Sequence, residues 1–338
     1  MGPGRHAVLY KAAYLLTVLL ALGVSTGCLS GGNPESSAGS GSAWTTKTSM
    51  PTPRAGLAVG VVNGILYAVG GNTLSNNPVN LSIVQAYNPA TNAWTTMSPM
   101  PTARSGLAVG VVNGILYAIG GTNNGVNNLT TVEAYDPVTN TWTSKASMAT
   151  PRYGLGVGVV NGLIYAVGGV IAPNPSPPVE VYDPGNDSWV PKAVIPTERI
   201  FLGVGVVNNT LYAVGGSPDY AVGVNPNNVT NLSTVEAYDT VLDTWTTETS
   251  MPTARGGLAV GVNDGILYAV GGQLPDIQPG DTVPKKLEAY NPATNTWTTL
   301  DPMPTGRTLL AADVVNGVLY AVGGDDQGTV ETFTPPTP

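Results

Sequence analysis

The sequence predicts an all-β fold made of six copies of one four-stranded antiparallel unit, and three observations predict it. An 18-residue stretch, residues 54–71, returns little altered from Arg104, Arg152, Arg199, Arg255 and Arg307. Tryptophans keep the same beat, at Trp44, Trp94, Trp142, Trp189, Trp245 and Trp297, at intervals of 47 to 56 residues. The composition agrees: 43 glycines and 29 prolines with only 10% charged residues suit many short strands joined by turns, and the chain is too apolar for disorder. Repetition at this period marks units that bury their faces against their neighbours, as the blades of a β-propeller do.

Each strand follows from the repeat. Two apolar, β-branched runs flank Asn63-Gly64, and a two-residue Asn-Gly loop between such runs signals a tight hairpin, because both residues accept positive φ. The hairpin supplies an inner strand near residues 56–62 and a second strand near 65–69. A variable loop leads to a third strand near 84–87, and a turn leads to an outer strand around Trp94. The repeats begin with an outer strand at 43–47 and end with a third strand at 330–333. The N-terminal strand is therefore expected to complete the last blade and close the ring without a disulfide. The propeller spans residues 44–333, with 334–338 as a tail.

Ahead of it, residues 1–27 read as an export signal: Arg5 and Lys11 give a basic start, and residues 12–24 form an apolar run too short to span a bilayer comfortably. The run ends at Ser25-Thr26-Gly27-Cys28, which resembles a bacterial lipoprotein lipobox, although Ser25 stands where that family usually carries Leu. The resemblance implies acylation of Cys28; plain secretion with a spare cysteine is the alternative. Residues 28–43, rich in Gly and Ser, read as a flexible tether. The expected location is the cell envelope, with a membrane anchor through Cys28, or the medium.

The counts also remove chemistry. The only histidine is His6 and the only cysteine is Cys28, so a chain processed at Cys28 has no Ser-His or Cys-His pair, no histidine-bound metal and no internal disulfide. No Asp-x-Asp-x-Asp-Gly calcium loop is present, and no cofactor or metal is expected. A net charge of -8 repels phosphate backbones and argues against nucleic acid as a partner.

An arginine, a hydrophobic strand, Tyr and Gly-Gly, then Glu-x-Tyr-Asp-Pro and Trp, as in residues 104–142, is similar to the kelch motif. The resemblance covers residues 44–333 and implies a six-bladed propeller. Kelch propellers include a six-bladed sialic acid mutarotase and the copper enzyme galactose oxidase. The copper enzyme is incompatible with the missing histidines and cysteine.

Candidate site residues fall in two classes. Those that repeat are Arg54, Arg104, Arg152, Arg199, Arg255 and Arg307, the six tryptophans, the tyrosine pairs such as Tyr67 with Tyr87, and the third-strand acids Glu133, Glu180, Glu236, Glu288 and Glu331. A cationic ring for an acidic ligand is one reading of the arginines. Recurrence in every blade favours a scaffold role, with the arginines bonding loop carbonyls between blades and the aromatics packing blade on blade through their rings more than their hydroxyls.

Those that depart from the repeat carry more information. Asp313 stands where the other blades have Gly60, Gly110, Gly158, Gly205 and Gly261, and Phe201 and Leu309 stand where the others have glycine. Asp313 is the candidate for a central ligand or ion contact, against a solvated channel residue. Tyr153, Phe201, Asp219 and Tyr220 are expected to meet a partner on the rim carrying the second-to-third-strand loops, residues 72–80, 122–128, 170–178, 217–231, 273–286 and 325–328. The expected function is a monomeric, non-catalytic module binding a protein or glycan at the cell surface. The alternative is a carbohydrate isomerase resembling the mutarotase, with Arg199, Glu198 and Asp313 as its acid, base and anion-binding groups.

Overall fold

The structure, a computed structural model, describes residues 44–73, 78–123, 127–169, 177–218, 230–275, 283–325 and 327–336. These form six four-stranded antiparallel sheets. Blade 1 contains Ala58–Val62, Ile65–Val69, Val84–Asn88 and Ala93–Thr96, from the inner edge outward. The inner strands of blades 2 to 5 are Ala108–Val112, Gly156–Val160, Gly203–Val207 and Ala259–Asn263. Asn63 and Gly64 take φ of 50° and 76°, the backbone that the Asn-Gly loop requires.

Blade 6 is assembled from both ends of the propeller. Ala311–Val315, Val318–Val322 and Val330–Phe333 are completed by Trp44–Lys47, which pairs Trp44 with Phe333 and Lys47 with Val330. The ring closes as the repeat order predicts.

The core lies between blades. Alternate residues of a strand face opposite sides, so Tyr67 and Tyr87 of one repeat point away from each other. Tyr67 instead meets Tyr135 of blade 2, Tyr117 meets Tyr182 of blade 3, and Tyr87 meets Tyr320 of blade 6, with centroids 5.7 to 6.1 Å apart. Blade-on-blade packing is thus as expected, but the pairing runs between repeats. The hydroxyls are used as well, more fully than the sequence suggests. Tyr87 donates to Asn92 at 2.6 Å, and Asn92 also accepts the Thr48 amide from blade 6. Tyr135, Tyr182, Tyr238 and Tyr290 donate in the same way to Asn140, Asp187, Asp243 and Asn295. Each acceptor side chain also caps an amide of the preceding blade, at Ser98, Ala146, Ala193 and Thr249.

Candidate functional site

The six arginines are not a binding surface. Each is essentially fully buried, because the chain turns inward at the start of the repeat and lays the side chain along its own blade. Arg104, Arg152, Arg199, Arg255 and Arg307 pair with Glu133, Glu180, Glu236, Glu288 and Glu331 at 2.5 to 2.9 Å. In blade 1 the place of the acid is taken by Gln85, which Arg54 reaches at 2.6 Å. Burial pulls the guanidinium of Arg54 down to about 10 from its ordinary range.

The guanidinium contacts lie within one blade; Arg54, for example, donates to Thr52 O and Ala68 O. The bridge to the neighbouring blade comes from the arginine's backbone carbonyl, with Gly71 N–H donating to Arg104 O at 3.0 Å. This corrects the expected inter-blade role of the side chain. It also removes Arg199 as a ligand contact, since Glu236 and the carbonyls of Thr197, Gly215 and Thr234 occupy its donors.

The repeat's next feature encircles the axis. Gly106 N–H donates to Gly56 O, Gly154 to Gly106, Phe201 to Gly154, Gly257 to Phe201, Leu309 to Gly257, and Gly56 back to Leu309, at 2.7 to 2.9 Å. Six blades are thereby joined in a closed circle of backbone hydrogen bonds. Every member has positive φ, between 52° and 64°. Glycine takes that conformation freely; Phe201 and Leu309 take it against the preference of an L-residue. The circle also explains why the inner strand begins at Ala58 rather than at residue 56.

The circle and the leucines that follow it line a shallow cavity of about 100 Å³ at the mouth, formed by Gly56, Leu57 and their counterparts, with Phe201 and Leu309 among them. Tyr153 lies beside it, edge-on to Phe201 with centroids 5.0 Å apart and an interplanar angle of 82°. A Cβ on Gly106 would meet the Tyr153 ring at 2.3 Å, so the tyrosine occupies the space that this glycine vacates. The residues after the arginines pair with the first loop residues, Ala55 with Asn72, Ser105 with Thr122 and Ile200 with Ser217. The mouth and the variable loops therefore share one rim. Of the partner-facing residues expected from sequence, the structure brings Tyr153, Phe201 and Leu309 together, while Asp219 and Tyr220 lie outside the described residues, as does Cys28.

Asp313 is not a freely solvated channel residue. At the equivalent Gly60 of blade 1, a Cβ points at Val109 and Val111 of the next blade. By the same register the Asp313 side chain enters the junction of blade 6 with blade 1. Its carboxylate accepts the Val314 amide at 2.8 Å and the Val61 amide of blade 1, and burial pushes it up to about 6. Glu198 is half-buried, and its Oε1 has no partner among the described residues. Asp325, at the rim of blade 6, accepts the Thr308 amide and is raised by burial. No group of three or more potential metal ligands occurs among the described residues, and no helix long and apolar enough to cross a membrane occurs among them.

Sequence reasoning found the departures at Phe201, Leu309 and Tyr153 but missed the circle that unites them. The available signal was the glycine two places after each arginine, a position read for its size rather than for its backbone angle.

Comparison with known proteins fits this geometry. The kelch motif pattern matches residues 53–101, 103–149, 151–193, 198–252 and 254–304, and the sixth unit, split between the chain ends, is the one left over. Kelch-like ECH-associated protein 1A of Danio rerio is 39% identical over 99 residues, 29% of this chain and 16% of its own length. Kelch-like protein 28 of Homo sapiens is 36% identical over 109 residues, 31% of this chain and 19% of its own length. The chain thus spans less than a fifth of these relatives. Among solved structures, that of YjhT matches with a TM-score of 0.67 and 16% identity, covering 85% of this chain and 95% of that one. This last match corrects the expectation of a non-enzyme. A ring of this build is shared with YjhT almost end to end, and six-bladed kelch rings include a mutarotase, so the fold does not exclude catalysis. The recurring motif over well more than half the sequence and the closed six-bladed ring together establish that this chain belongs to the kelch-repeat family.

Proposed function

We propose that this chain binds a protein partner through the rim that carries the second-to-third-strand loops, with Tyr153, Phe201 and Leu309 at its centre. The observation that carries the reading is the placement of these three departures from the repeat around one mouth, while the repeated charged groups are buried and paired. Rigid blades presenting an aromatic pair beside variable loops have the anatomy of an interaction site, where buried aromatics dominate the energy. A relative whose printed name records association with ECH is consistent with a protein partner. The lipobox-like segment ending at Cys28 supports an anchored position in the cell envelope.

The test is capture from the native envelope with wild type and with Y153A/F201G. A protein retained by the first and lost by the second supports the reading; equal retention by both, or retention of glycans only, refutes it. Mass spectrometry of the mature N-terminus tests the anchor, which requires a diacylated Cys28.

A second reading, a carbohydrate isomerase similar to the mutarotase type, rests on Glu198, whose Oε1 has no hydrogen-bond partner among the described residues and is left for proton exchange with a bound sugar. Asp313, by contrast, is enclosed between blades 6 and 1. Arg199 is unavailable to it. Anomer exchange in NMR spectra of reducing sugars, sialic acid among them, accelerated by wild type and not by E198Q, is its signature.

A further inference from the structure

We propose that the junction of blade 6 with blade 1 is a pH-sensitive contact of the ring, tightening as the medium acidifies, with Asp313 as its titrating group.

Five of the six junctions carry glycine at this position, and they have no room for more. A Cβ at Gly60, Gly110, Gly158, Gly205 or Gly261 would come within 2.4 to 3.1 Å of valine, leucine or isoleucine side chains of the next blade. The sixth junction carries a carboxylate there, and blade 6 is the one whose outer strand, Trp44–Lys47, is joined to its third strand, Val330–Phe333, by pairing between opposite ends of the propeller rather than by a turn. The most polar insertion thus lies on the inner strand of the blade that closes the ring by non-covalent pairing.

The surroundings are apolar and uncharged. Within its own sheet Asp313 is opposite Tyr320. From blade 1 it meets the inner strand at Val61, and Tyr87 packs on Tyr320 from the third strand. Blade 5 backs the strand at Gly261. Both tyrosines are raised by burial and stay neutral through the acidic range. No charged side chain among the described residues offsets the Asp313 carboxylate, which rests on two amide donors only. Asp325, in the same blade but at the rim, lies against Thr308 and Arg307 and titrates in the same direction.

Because folding raises the affinity of Asp313 for its proton, the stability it contributes is present in full below the ordinary carboxylate range and is lost as pH rises through about 6. Ionised at neutral pH, it holds a desolvated charge between two blades; protonated, it leaves a neutral group in an apolar junction.

The test follows equilibrium unfolding of wild type, D313N, D313G and D325N between about pH 7.5 and about pH 5. The folding constant of wild type and D325N is expected to rise about tenfold on acidification, and that of D313N and D313G to stay flat. Hydrogen exchange should slow at Ala58–Val62 and Ala311–Val315 in wild type more than at the corresponding strands of other blades. Equal pH dependence in wild type and D313N, loss of the dependence in D325N instead, or slowing spread evenly over six blades overturns the proposal.

Discussion

Arg54 is a buried guanidinium whose blade supplies no carboxylate, because Gln85 stands where five blades have Glu. Breaking a buried pair elsewhere leaves one charge uncompensated: E236Q is expected to cost about 3–5 kcal/mol in chemical denaturation. The converse change, Q85E, supplies the missing charge to a cation already desolvated, and should raise the melting temperature. Leu309 differs from its neighbour Leu310 in kind. Leu310 is buried behind the axial circle, whereas Leu309 is half-exposed at φ 53°. L309G therefore relieves backbone strain while giving up little burial, and should cost far less than L310G, which loses a buried side chain worth about 1.5–3 kcal/mol. At this scale the sequence marked which residues were unusual but not what made them so. Asp313 and Leu309 both stand in place of glycine, one where the side chain has no room and the other where the backbone turns left, and a letter string does not separate the two reasons.

Strands were the most readable elements, since alternation and the Asn-Gly turn locate them within two residues. Their cross-links were not, because each joins positions about 45 residues apart. Trp94, Trp142, Trp189 and Trp297 donate their indole N–H to Thr48, Ser98, Ala146 and Thr249 of the preceding blade at 2.8 to 3.0 Å. Trp245 finds no such acceptor. Its upstream outer strand, Ser188–Val194, runs on through Ala193, beyond the point where the other outer strands end, and its pairing with the third strand shifts register between Pro178 and Glu180. W245F is accordingly expected to destabilise less than W297F, by about 1 kcal/mol, the net worth of one hydrogen bond.

For the whole molecule, closure was legible in the order of strands, and it makes a direct demand. Deleting residues 44–47 strips the outer strand from blade 6 and exposes Phe333, which packs on Trp44 at 5.3 Å. The melting temperature should fall by at least about 5 °C. Function was less legible, because the loudest signals in the chain belong to the scaffold and the informative positions appear only by subtraction. The circle of amides at the axis has a further consequence. Every link is donated by one blade to the blade before it in the chain, and the bond from Gly56 to Leu309 does the same across the gap between first and last. At the axis the ring thus has a direction of rotation but no beginning. The covalent thread has ends and the hydrogen-bonded circle has none, so the chain can be cut at any turn between blades and rejoined through residues 336 and 44 without changing what the axis sees.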